Sequence, residues 1–517
     1  MLKSISELSQ IIKIEETANP KMDQEVLYSG ISYHSARVKP GDIFFCIKGY
    51  KTDGHEYLPM AMEKGAVAAI VEEFSEGLAI PQYKVADARK ALAAASADFF
   101  GNPSKKMKMI GITATNGKTT TSFLTDAIFK GNGFETGVIG TVAVMYGKEL
   151  YPSKLTTPES YELQKFLYEM NEYGVTHVTM EVSSSAMELS RAANVDFNVV
   201  VLNNISREHI DLHEGFDNYY NAKAGLIRNA KEGSFAILNL DDTFSSRLEN
   251  ETEAKVVTYS VEKKQGTLSV SDLNLSTGRA KFNVDINQDF MGFDKEIYVQ
   301  SFPIELSVPG YHSVYNSMAA IAVGLIFGIS TNIIQTALNS FKGVERRFEF
   351  IFEKEFIIID DHFANSGNID VTLGTLDFMD YKKLRMVYAI RGGRGPIVNR
   401  ENAETIVKWA TKIGIENIIA TFSRSHVDEK DEVSDEEIAV FIDVMTKAGI
   451  KIELFDELPD AIALALSRAE EGDLILLAGC QGMDYGAKIA LEKLHEMRPE
   501  IDTEDLFRPL ESRVAGI

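Results

Sequence analysis

The chain has 517 residues and a mass of 57.4 kDa, a length that predicts about three domains at roughly 150 residues each. Its 76 acidic and 53 basic side chains give a net charge of −23, so the surface as a whole repels nucleic acid and anionic lipid, and neither is an expected partner. The two cysteines, Cys46 and Cys480, exclude a disulfide scaffold. The N-terminus lacks an apolar signal core, and the longest apolar run, residues 318–329, is too short to cross a bilayer. We therefore expect a cytoplasmic protein without membrane insertion.

The first hundred residues predict a small α/β domain. Runs typical of strands occur at residues 42–48 and 66–71, and a helix is predicted between them at 57–64. Turn residues at 101–104 predict a linker. We therefore place the first domain at residues 1–104.

The next part of the chain, residues 105–342, predicts a larger α/β domain. Strand-like runs separated by helical patterns occur at 107–113, 175–181, 199–202 and 235–238. This alternation is typical of a doubly wound sheet. Residues 256–308 predict an antiparallel hairpin insert, and residues 315–328 predict a mostly buried helix.

The last part, residues 343–517, alternates in the same way and predicts a third, Rossmann-like α/β domain. Its strands are predicted at 356–360, 386–390, 418–421 and 474–478. The charge run at 428–437 predicts a solvated loop and helix start. The fold class is therefore α/β, with a small N-terminal domain, a central doubly wound domain and a C-terminal domain.

The sharpest local signal is the segment GITATNGKTT at residues 111–120. A predicted strand feeds a loop, and Gly117 and Lys118 open a helix, whose N–H groups can bind phosphates. Lys118 would reach the β- and γ-phosphates of a nucleotide, and Thr119 or Thr120 would offer a hydroxyl to Mg²⁺. Five residues, rather than four, separate the two glycines of this segment, so its spacing differs from that of the common phosphate loop.

This segment resembles the phosphate loop of the Mur ligases, ATP-dependent enzymes that form amide bonds in peptidoglycan precursor synthesis. Further segments resemble that family in its order, and the chain is most similar to the UDP-N-acetylmuramoyl-tripeptide synthetases. They lie at residues 33–45, 51–55, 156–159, 180–186, 204–213, 220–226, 309–316 and 343–349. The resemblance implies the three-domain Mur ligase architecture, with a uridine-binding N-terminal domain, a central ATP-binding domain and a C-terminal ligase domain. We expect a monomer.

The resemblance also implies where the ligands bind. Residues implied to contact the UDP-N-acetylmuramoyl-peptide are Ser35, Thr156, Thr157, Ser184 and Arg191. Residues implied to contact ATP are Thr115, Asn116, Gly117, Lys118, Thr119, Thr120, Asn316, Arg347 and Asp361. Taken alone, Arg347 could be a surface ion pair, and either Asn116 or Asn316 could be a turn or cap residue.

Two Mg²⁺ sites are expected. Glu181 ends a predicted strand, where an exposed carboxylate can bind Mg²⁺, although by itself it would be an ordinary exposed edge carboxylate. The resemblance makes His209 a ligand of the second metal and Lys223 a carbamylated lysine with an oxygen for that metal. An unmodified lysine would more often be an exposed cation. The implied metal-binding set is Thr119, Glu181, His209 and Lys223, and the implied catalytic set is Lys118, Lys223, His209, Glu181 and Arg347.

The implied reaction has two steps. The terminal carboxylate of the UDP-N-acetylmuramoyl-peptide attacks the γ-phosphorus of ATP, which gives an acyl phosphate and ADP. The amino group of an incoming amino acid then displaces phosphate and forms an amide. Mg²⁺, Lys118 and Arg347 would offset the charge on the transferring phosphoryl group, and domain closure would bring the amino acid to the acyl phosphate.

The departures from the family pattern lie where the amino acid and part of the ATP would bind. They are Ser185 and Ala364, which replace His, and the segments 391–396, 422–427 and 479–484. Arg424 could bind a substrate carboxylate, or it could be an exposed arginine without a substrate role. Asp484 could keep a carboxylate for an amine. The sequence therefore predicts a divergent ligase with an altered amino-acid pocket, and it does not define the amino acid.

Two other functions remain open at this point. One is a Mur ligase paralogue that joins an amino acid to another carboxylate. The other is a non-catalytic nucleotide-binding partner of a cell-wall enzyme, which the changes in the third domain favour. The set of Lys118, Glu181, His209 and Lys223 opposes it, because a binding module has little need of both metal positions.

Overall fold

The computed structural model describes residues 2–19, 25–49, 52–206, 215–275 and 279–511, together with Arg513 and Gly516. The chain divides into two compact units. Unit 1 comprises Met1–Ala114, Gly133–Leu238 and Phe244–Val256, and unit 2 comprises Thr115–Asn132, Asn239–Thr243 and Val257–Ile517. Within the described ranges, no helix combines the length and the apolar character needed to cross a membrane.

The N-terminal part of unit 1 consists of a mixed parallel and antiparallel β-sheet with helices. Its strands are β1 (Lys3–Ser4), β2 (Glu16–Ala18), β3 (Leu27–Tyr28), β4 (Gly30–Ser32), β5 (Asp42–Phe45), β6 (Ala68–Val71) and β7 (Gln82–Lys84), and its helices are α1 (Ile5–Leu8), α2 (Leu58–Glu63) and α3 (Ala88–Phe99). Five strands form one sheet in the order β2-β7-β6-β5-β4, with β2 antiparallel to β7, and β1 pairs with β3. Strands β5 and β6 are buried along their whole length, as expected inside a parallel sheet. The predicted strands and the helix between them are confirmed.

The second part of unit 1 contains the doubly wound sheet that the sequence predicts. Its strands are β8 (Lys108–Thr113), β9 (Thr136–Ile139), β10 (Ala143–Tyr146), β11 (Glu149–Pro152), β12 (His177–Glu181), β13 (Val199–Leu202) and β14 (Phe235–Asn239), and its helices are α5 (Ser160–Tyr173), α6 (Ser184–Glu188), α7 (Phe216–Arg228) and α8 (Thr243–Ser246). The strand order is β11-β10-β9-β12-β8-β13-β14; the pairs from β9 to β14 are parallel, and β10 is antiparallel to both β9 and β11. Because parallel strands place their carboxyl ends at one edge, Thr113 and Glu181 end on the same edge of this sheet.

The first part of unit 2 combines helices with antiparallel strands. Its helices are α4 (Lys118–Gly131), α9 (Tyr311–Ile326) and α10 (Thr331–Ser340), and its strands are β15 (Lys255–Ser260), β16 (Leu268–Asn274), β17 (Arg279–Ile286), β18 (Phe290–Met291), β19 (Glu296–Ile297) and β20 (Gln300–Pro309). Strand β17 pairs with β16 and β20 in antiparallel fashion. This confirms the antiparallel insert, and α9 confirms the mostly buried helix because most of its side chains are buried.

The C-terminal part of unit 2 is a six-stranded sheet covered by helices. Its strands are β21 (Glu349–Glu353), β22 (Ile357–His362), β23 (Leu384–Ala389), β24 (Asn417–Thr421), β25 (Lys451–Phe455) and β26 (Leu474–Gly479), and its helices are α11 (Ser366–Leu376), α12 (Pro396–Ile413), α13 (Asp435–Lys447), α14 (Leu458–Ser467), α15 (Gly486–Met497) and α16 (Thr503–Phe507). The order is β21-β22-β26-β23-β24-β25, with only β21 antiparallel among these strands. Two apolar clusters cover the sheet, one packed with α11, α12 and α13 and the other with α14 and α15. The four predicted strands are confirmed, and the sequence analysis missed β21 and β25.

The charge run at residues 428–437 is only partly solvated, so the prediction of a solvated loop is wrong for two of its members. Asp431 and Glu437 are buried, at 6% and 1% exposure. The Glu437 carboxylate accepts the backbone N–H groups of Arg394 at 3.0 Å, Gly395 at 2.7 Å and Ser434 at 2.9 Å. Burial is tolerated because these bonds satisfy the carboxylate, and they hold the loop before α12 against the start of α13.

Candidate functional site

The phosphate loop has the predicted geometry of a strand, a short loop and a helix. Strand β8 ends at Thr113 and α4 begins at Lys118, with Gly117 as the N-cap residue at φ +90°. A side chain would be strained at this φ. An added Cβ would also lie 2.2 Å from Oδ1 of Asn316 on α9. Glycine is therefore required where the loop enters the helix.

Lys118 bonds within the phosphate loop, and Thr121, directly after the predicted nucleotide residues, bonds to α9. The Lys118 ammonium donates to the Thr115 carbonyl at 3.1 Å, and Thr121 Oγ1 donates to Asn316 Oδ1 at 3.3 Å. Thr119 is buried and Thr120 is half-buried. The structure thus places Asn316 at the start of α4.

Asn116 of the loop contacts a residue that the sequence analysis did not single out. Asn368 Nδ2, in the first turn of α11, donates to Asn116 Oδ1 at 2.9 Å. Helix α11 follows β22 directly, so this bond joins the phosphate loop to the carboxyl edge of the C-terminal sheet. No sequence pattern indicates a contact between residues 252 positions apart.

Arg347 and Asp361 lie close together in unit 2. Asp361 is buried at 5% exposure and accepts the Phe348 N–H at 2.8 Å and the Thr372 hydroxyl. Burial raises the pKa of Asp361, while these bonds and the charge of Arg347 lower it. Asp361 therefore holds the segment that carries Arg347, which is half-buried.

Glu181 ends β12 as predicted, but its carboxylate is buried rather than exposed, so that part of the prediction is wrong. Its oxygens accept the N–H and the hydroxyl of Thr141 at 2.8 and 3.0 Å. A Cβ on Gly140 would lie 2.2 Å from Glu181 Oε1, so the backbone before Thr141 passes close to the carboxylate. Thr141 is a site residue that the sequence analysis missed, because no motif marks it.

Most of the predicted substrate residues surround Glu181. Thr157 Oγ1 donates to the Glu181 carbonyl at 2.8 Å, and the Thr156 hydroxyl lies 3.1 Å from that of Thr141. Arg191 donates to the Thr157 carbonyl at 3.4 Å, and its Nη2 lies 2.8 Å from Glu159 Oε1. Four segments of the chain, at residues 141, 156–159, 181 and 191, therefore form one polar surface at the carboxyl end of β12.

Ser184 and Ser35 lie in two other places in unit 1. Ser184 is the first residue of α6 and is buried, directly after the loop that follows β12. Ser35 is buried in a short turn of the N-terminal part. Nearby, the Tyr33 hydroxyl donates to Glu162 on α5 at 2.8 Å, so α5 anchors this turn.

Lys223 lies on α7 with 2% exposure, so it is not the exposed cation of the alternative interpretation. Its ammonium donates to the Ala114 carbonyl at 2.8 Å and lies 4.9 Å from the centre of the Tyr219 ring. Ala114 directly follows β8, so Lys223 reaches the backbone of the phosphate loop. His209 lies outside the described residues.

The carboxyl edge of the C-terminal sheet carries the residues that depart from the family pattern. His362 ends β22 and lies 3.3 Å from the Cys480 thiol after β26. Burial lowers the pKa of His362 well below its usual range, and the charges of Arg346, Arg347 and Arg391 lower it further. This imidazole is therefore neutral at physiological pH.

Arg424 and Asp484 have different surroundings at this edge. Arg424 is exposed and pairs with Asp456 at 3.2 Å. Asp484 pairs with Arg346, a buried arginine at φ +54°. Arg346 thus adopts the left-handed backbone conformation that favours glycine. No sequence motif marked Arg346 as a site residue.

The sequence matches three family descriptions in succession: "Mur ligase family, catalytic domain" over residues 27–100, "Mur ligase middle domain" over 112–324 and "Mur ligase, glutamate ligase domain" over 346–481. A similar protein is the UDP-N-acetylmuramoyl-L-alanyl-D-glutamate--2,6-diaminopimelate ligase of Clostridium tetani, 32% identical over 468 residues, 89% of this chain and 91% of that one.

Solved structures share the fold. A structure of a UDP-N-acetylmuramoyl-L-alanyl-D-glutamate--2,6-diaminopimelate ligase matches with a TM-score of 0.66 at 24% identity, over 92% of this chain and 93% of that one. MurF ligase from Thermotoga maritima in complex with ADP matches with a TM-score of 0.59 at 20% identity, over 91% of this chain and 98% of that one. The three-domain α/β architecture implied by the resemblance is confirmed.

Proposed function

The chain belongs to the Mur ligase family and is an ATP-dependent ligase that adds an amino acid to a UDP-N-acetylmuramoyl-peptide in peptidoglycan precursor synthesis, and we propose that its acceptor is UDP-N-acetylmuramoyl-L-alanyl-D-glutamate. The relative from Clostridium tetani acts on this compound, as its name states. The observation that carries the proposal is the polar surface around Glu181, where Thr156, Thr157 and Arg191 are linked through backbone and side-chain bonds.

In this proposal the polar surface of unit 1 binds the acceptor. Arg191 offers a guanidinium for the carboxylate of the peptide, because arginine matches carboxylates in geometry and charge. Glu159 orients this guanidinium, and the Thr156 hydroxyl offers a further donor. Thr157 supports this surface from within, because its buried hydroxyl donates to the Glu181 carbonyl. Ser35 in the N-terminal part and Ser184 at the start of α6 contact the rest of the nucleotide sugar. In this proposal the reaction takes place in the cytoplasm, and the protein acts as a monomer.

The phosphate loop binds ATP. The N–H groups at the start of α4 and the side chains of Lys118 and Asn116 hold the phosphates, and Arg347 lies against the γ-phosphate. The acceptor carboxylate attacks the γ-phosphorus, ADP leaves, and an acyl phosphate remains. The amine of the amino acid then displaces phosphate. Lys118 and Arg347 offset the charge that develops on the phosphoryl oxygens.

Each unit contains one residue whose chemistry suits Mg²⁺. Mg²⁺ in nucleotide sites usually binds one or two carboxylates, phosphate oxygens and water. Thr119, in the phosphate loop, would offer a hydroxyl to the ion that accompanies the nucleotide, and Glu181, at the end of β12, would offer a carboxylate. Within the described part of the chain, no group of three or more His, Cys, Asp and Glu side chains could hold a metal by itself. When bound, Mg²⁺ offsets negative charge on the phosphates. A carbamate on Lys223, with His209, would supply oxygen and nitrogen ligands for a second ion.

The test is phosphate release from Mg-ATP by the purified protein in the presence of UDP-N-acetylmuramoyl-L-alanyl-D-glutamate, with amino acids added one at a time. We expect one amino acid to give a product heavier by one aminoacyl residue in mass spectrometry. Product with another carboxylate in place of the nucleotide sugar would favour the paralogue. Absence of ATP turnover with every amino acid, while the nucleotide sugar still raises the melting temperature, would establish a non-catalytic binding protein.

Lys118→Ala provides the matched variant for this test. It removes the ammonium from the phosphate loop, so we expect phosphate release to fall by at least about 100-fold. Lys447→Ala is the control, because Lys447 is exposed and pairs with exposed Asp443 on α13. Equal rates in the two variants would contradict the assignment of the phosphate loop.

A further inference from the structure

Unit 2 contains a cluster of five charged side chains that the proposed reaction does not use directly. Its members are Arg513, Glu349, Asp360, Arg346 and Asp484, with side-chain exposures of 2%, 13%, 0%, 5% and 34%. Charged groups at such low exposure are stable only when they are paired. The way they are paired therefore indicates what the cluster holds in place.

The centre of the cluster is a pair of carboxylates on neighbouring strands. Glu349 on β21 and Asp360 on β22 are directly opposite each other in the antiparallel register, an arrangement in which like charges repel. Arg513 Nη2 contacts both of them, Asp360 Oδ2 at 2.8 Å and Glu349 Oε2. One guanidinium thus neutralises the repulsion between two buried carboxylates.

Arg346 extends the cluster from these strands to the loop after β26. Its backbone N–H donates to Glu349 Oε2 at 2.8 Å, and its Nε lies 3.5 Å from Asp360 Oδ1. Its Nη2 donates to the carbonyls of Gly479 and Cys480 at 2.6 and 2.9 Å, and its Nη1 donates to Asp484 Oδ1. Arg346 therefore sets the position of the Asp484 carboxylate.

The carboxylates of the cluster outnumber its guanidinium groups. Two guanidinium groups face three carboxylates, so one negative charge is in excess when all three are ionised, and Asp484 is the most exposed of the carboxylates. No donor in the described ranges contacts its second oxygen, Oδ2. Asp484 is thus placed to bind a cation, at the same edge of the sheet as His362 and Cys480.

We propose that Arg513 is a positioning residue for the incoming amino acid, whose amino group binds the Asp484 carboxylate. Arg513 pairs with Asp360 and Glu349. Because these two carboxylates are thereby neutralised, Arg346 remains available to hold Asp484 in place. The inference rests on the proposed ligase function. Without Arg513, Arg346 is the only remaining cation of the cluster, and the two buried carboxylates attract it away from Asp484. Gly516 supports the arrangement, because its backbone packs against that of Asp484 and Tyr485 so closely that a Cβ would lie 2.3 Å from the Asp484 carbonyl.

The test compares Arg513→Gln and Arg513→Lys with the unchanged full-length enzyme in steady-state kinetics. For R513Q we expect the KM of the amino acid to rise at least about tenfold, with the KM values of ATP and the nucleotide sugar changed less than about twofold. R513K keeps the positive charge, so we expect its KM for the amino acid to return most of the way to that of the unchanged enzyme. Arg508→Gln is the control, because Arg508 forms a surface pair with Asp505, and it leaves all constants unchanged.

Asp484→Asn keeps the buried pairs and removes the amine-binding charge, so it tests the inference even if R513Q does not fold. We expect it to raise the same KM. A lower melting temperature of R513Q with unchanged KM values, or an unchanged KM in D484N, would overturn the inference and leave the ligase function standing. Absence of amide product from the unchanged enzyme would overturn the proposed function and this inference together.

Discussion

Strand β12 carries an ionisable residue at each end, and their surroundings give them opposite roles. Glu181, at the carboxyl end, is buried and accepts two bonds from Thr141. His177, at the other end, is 8% exposed and stacks on the Phe134 ring with centroids 4.0 Å apart. A buried carboxylate among donors at a sheet edge is suited to a cation, whereas a buried imidazole stacked on an aromatic ring is part of the packing.

We predict that His177 makes the stability of unit 1 sensitive to acid. Burial, assisted by the charge of Lys108, lowers the pKa of His177 to about 4, against about 6.5 when unfolded. The unfolded chain thus binds the proton first, so the stabilisation is complete above pH 6.5 and is lost as the pH falls towards 4, by at most about 3 kcal/mol.

The measurement is the free energy of unfolding by urea at pH 7.5 and pH 4.5. His177→Gln cannot be protonated, so the variant is expected to lose less stability than the unchanged protein between these two values. Equal losses in both proteins would show that another group is responsible for the acid sensitivity.

At the scale of elements, the start of α4 depends on one close contact with α9. Gly117 adopts φ +90°, and Asn316 Oδ1 occupies the space that its side chain would need. At the other end of α4, a Cβ on Gly131 would lie 3.4 Å from the Ala337 Cβ, an ordinary contact. The N-cap position of α4 therefore requires glycine, whereas the glycine at the last position of the helix is replaceable.

We predict opposite effects for the two glycine substitutions. Gly117→Ala combines an unfavourable φ with a clash, which is expected to lower stability by about 1–3 kcal/mol and to abolish phosphate release. Gly131→Ala replaces a glycine inside a helix and is expected to be neutral or to stabilise by up to about 1 kcal/mol. Urea unfolding and phosphate release measure both. Full activity in G117A would contradict the role of the loop backbone.

For the molecule as a whole, the two classes of predicted ligand contacts separate between the compact units. The nucleotide-sugar residues Ser35, Thr156, Thr157, Ser184 and Arg191 all belong to unit 1, and the ATP residues from Thr115 to Thr120, with Asn316, Arg347 and Asp361, all belong to unit 2. With these predicted contacts, each ligand would stabilise its own unit, because a ligand that binds only the folded state stabilises it.

We predict that hydrogen–deuterium exchange will show this separation. Mg-ATP alone is expected to slow exchange in residues 115–132 and 311–326, and the nucleotide sugar alone is expected to slow exchange in residues 156–173. Local opening is suppressed by the ligand that contacts the segment. Protection of the same segments by either ligand alone would contradict the assignment of the two sets of residues.

Much of the fold and part of the site could be predicted from the sequence, because they depend on neighbouring residues. The apolar runs at 42–48 and 474–478 predict buried strands, and Gly117 with Lys118 predicts a turn that opens a helix. The sequence did not predict that Glu437 is buried, although Ser434 and Glu437 form a capping box, because the partners Arg394 and Gly395 lie over 40 positions away.

The sequence by itself determined the α/β class, the strand–loop–helix form of the phosphate loop and the family, since local periodicity and motif spacing depend only on residues that are close together in sequence. Only the tertiary structure decided that Thr141 bonds to Glu181, that Asn368 bonds to Asn116 and that Arg513 neutralises Glu349 and Asp360. These contacts join segments that are 40 to 252 positions apart, and they form only when whole sheets and helices pack. The polarity of each side chain follows from the residue type, but which partner it contacts depends on tertiary packing.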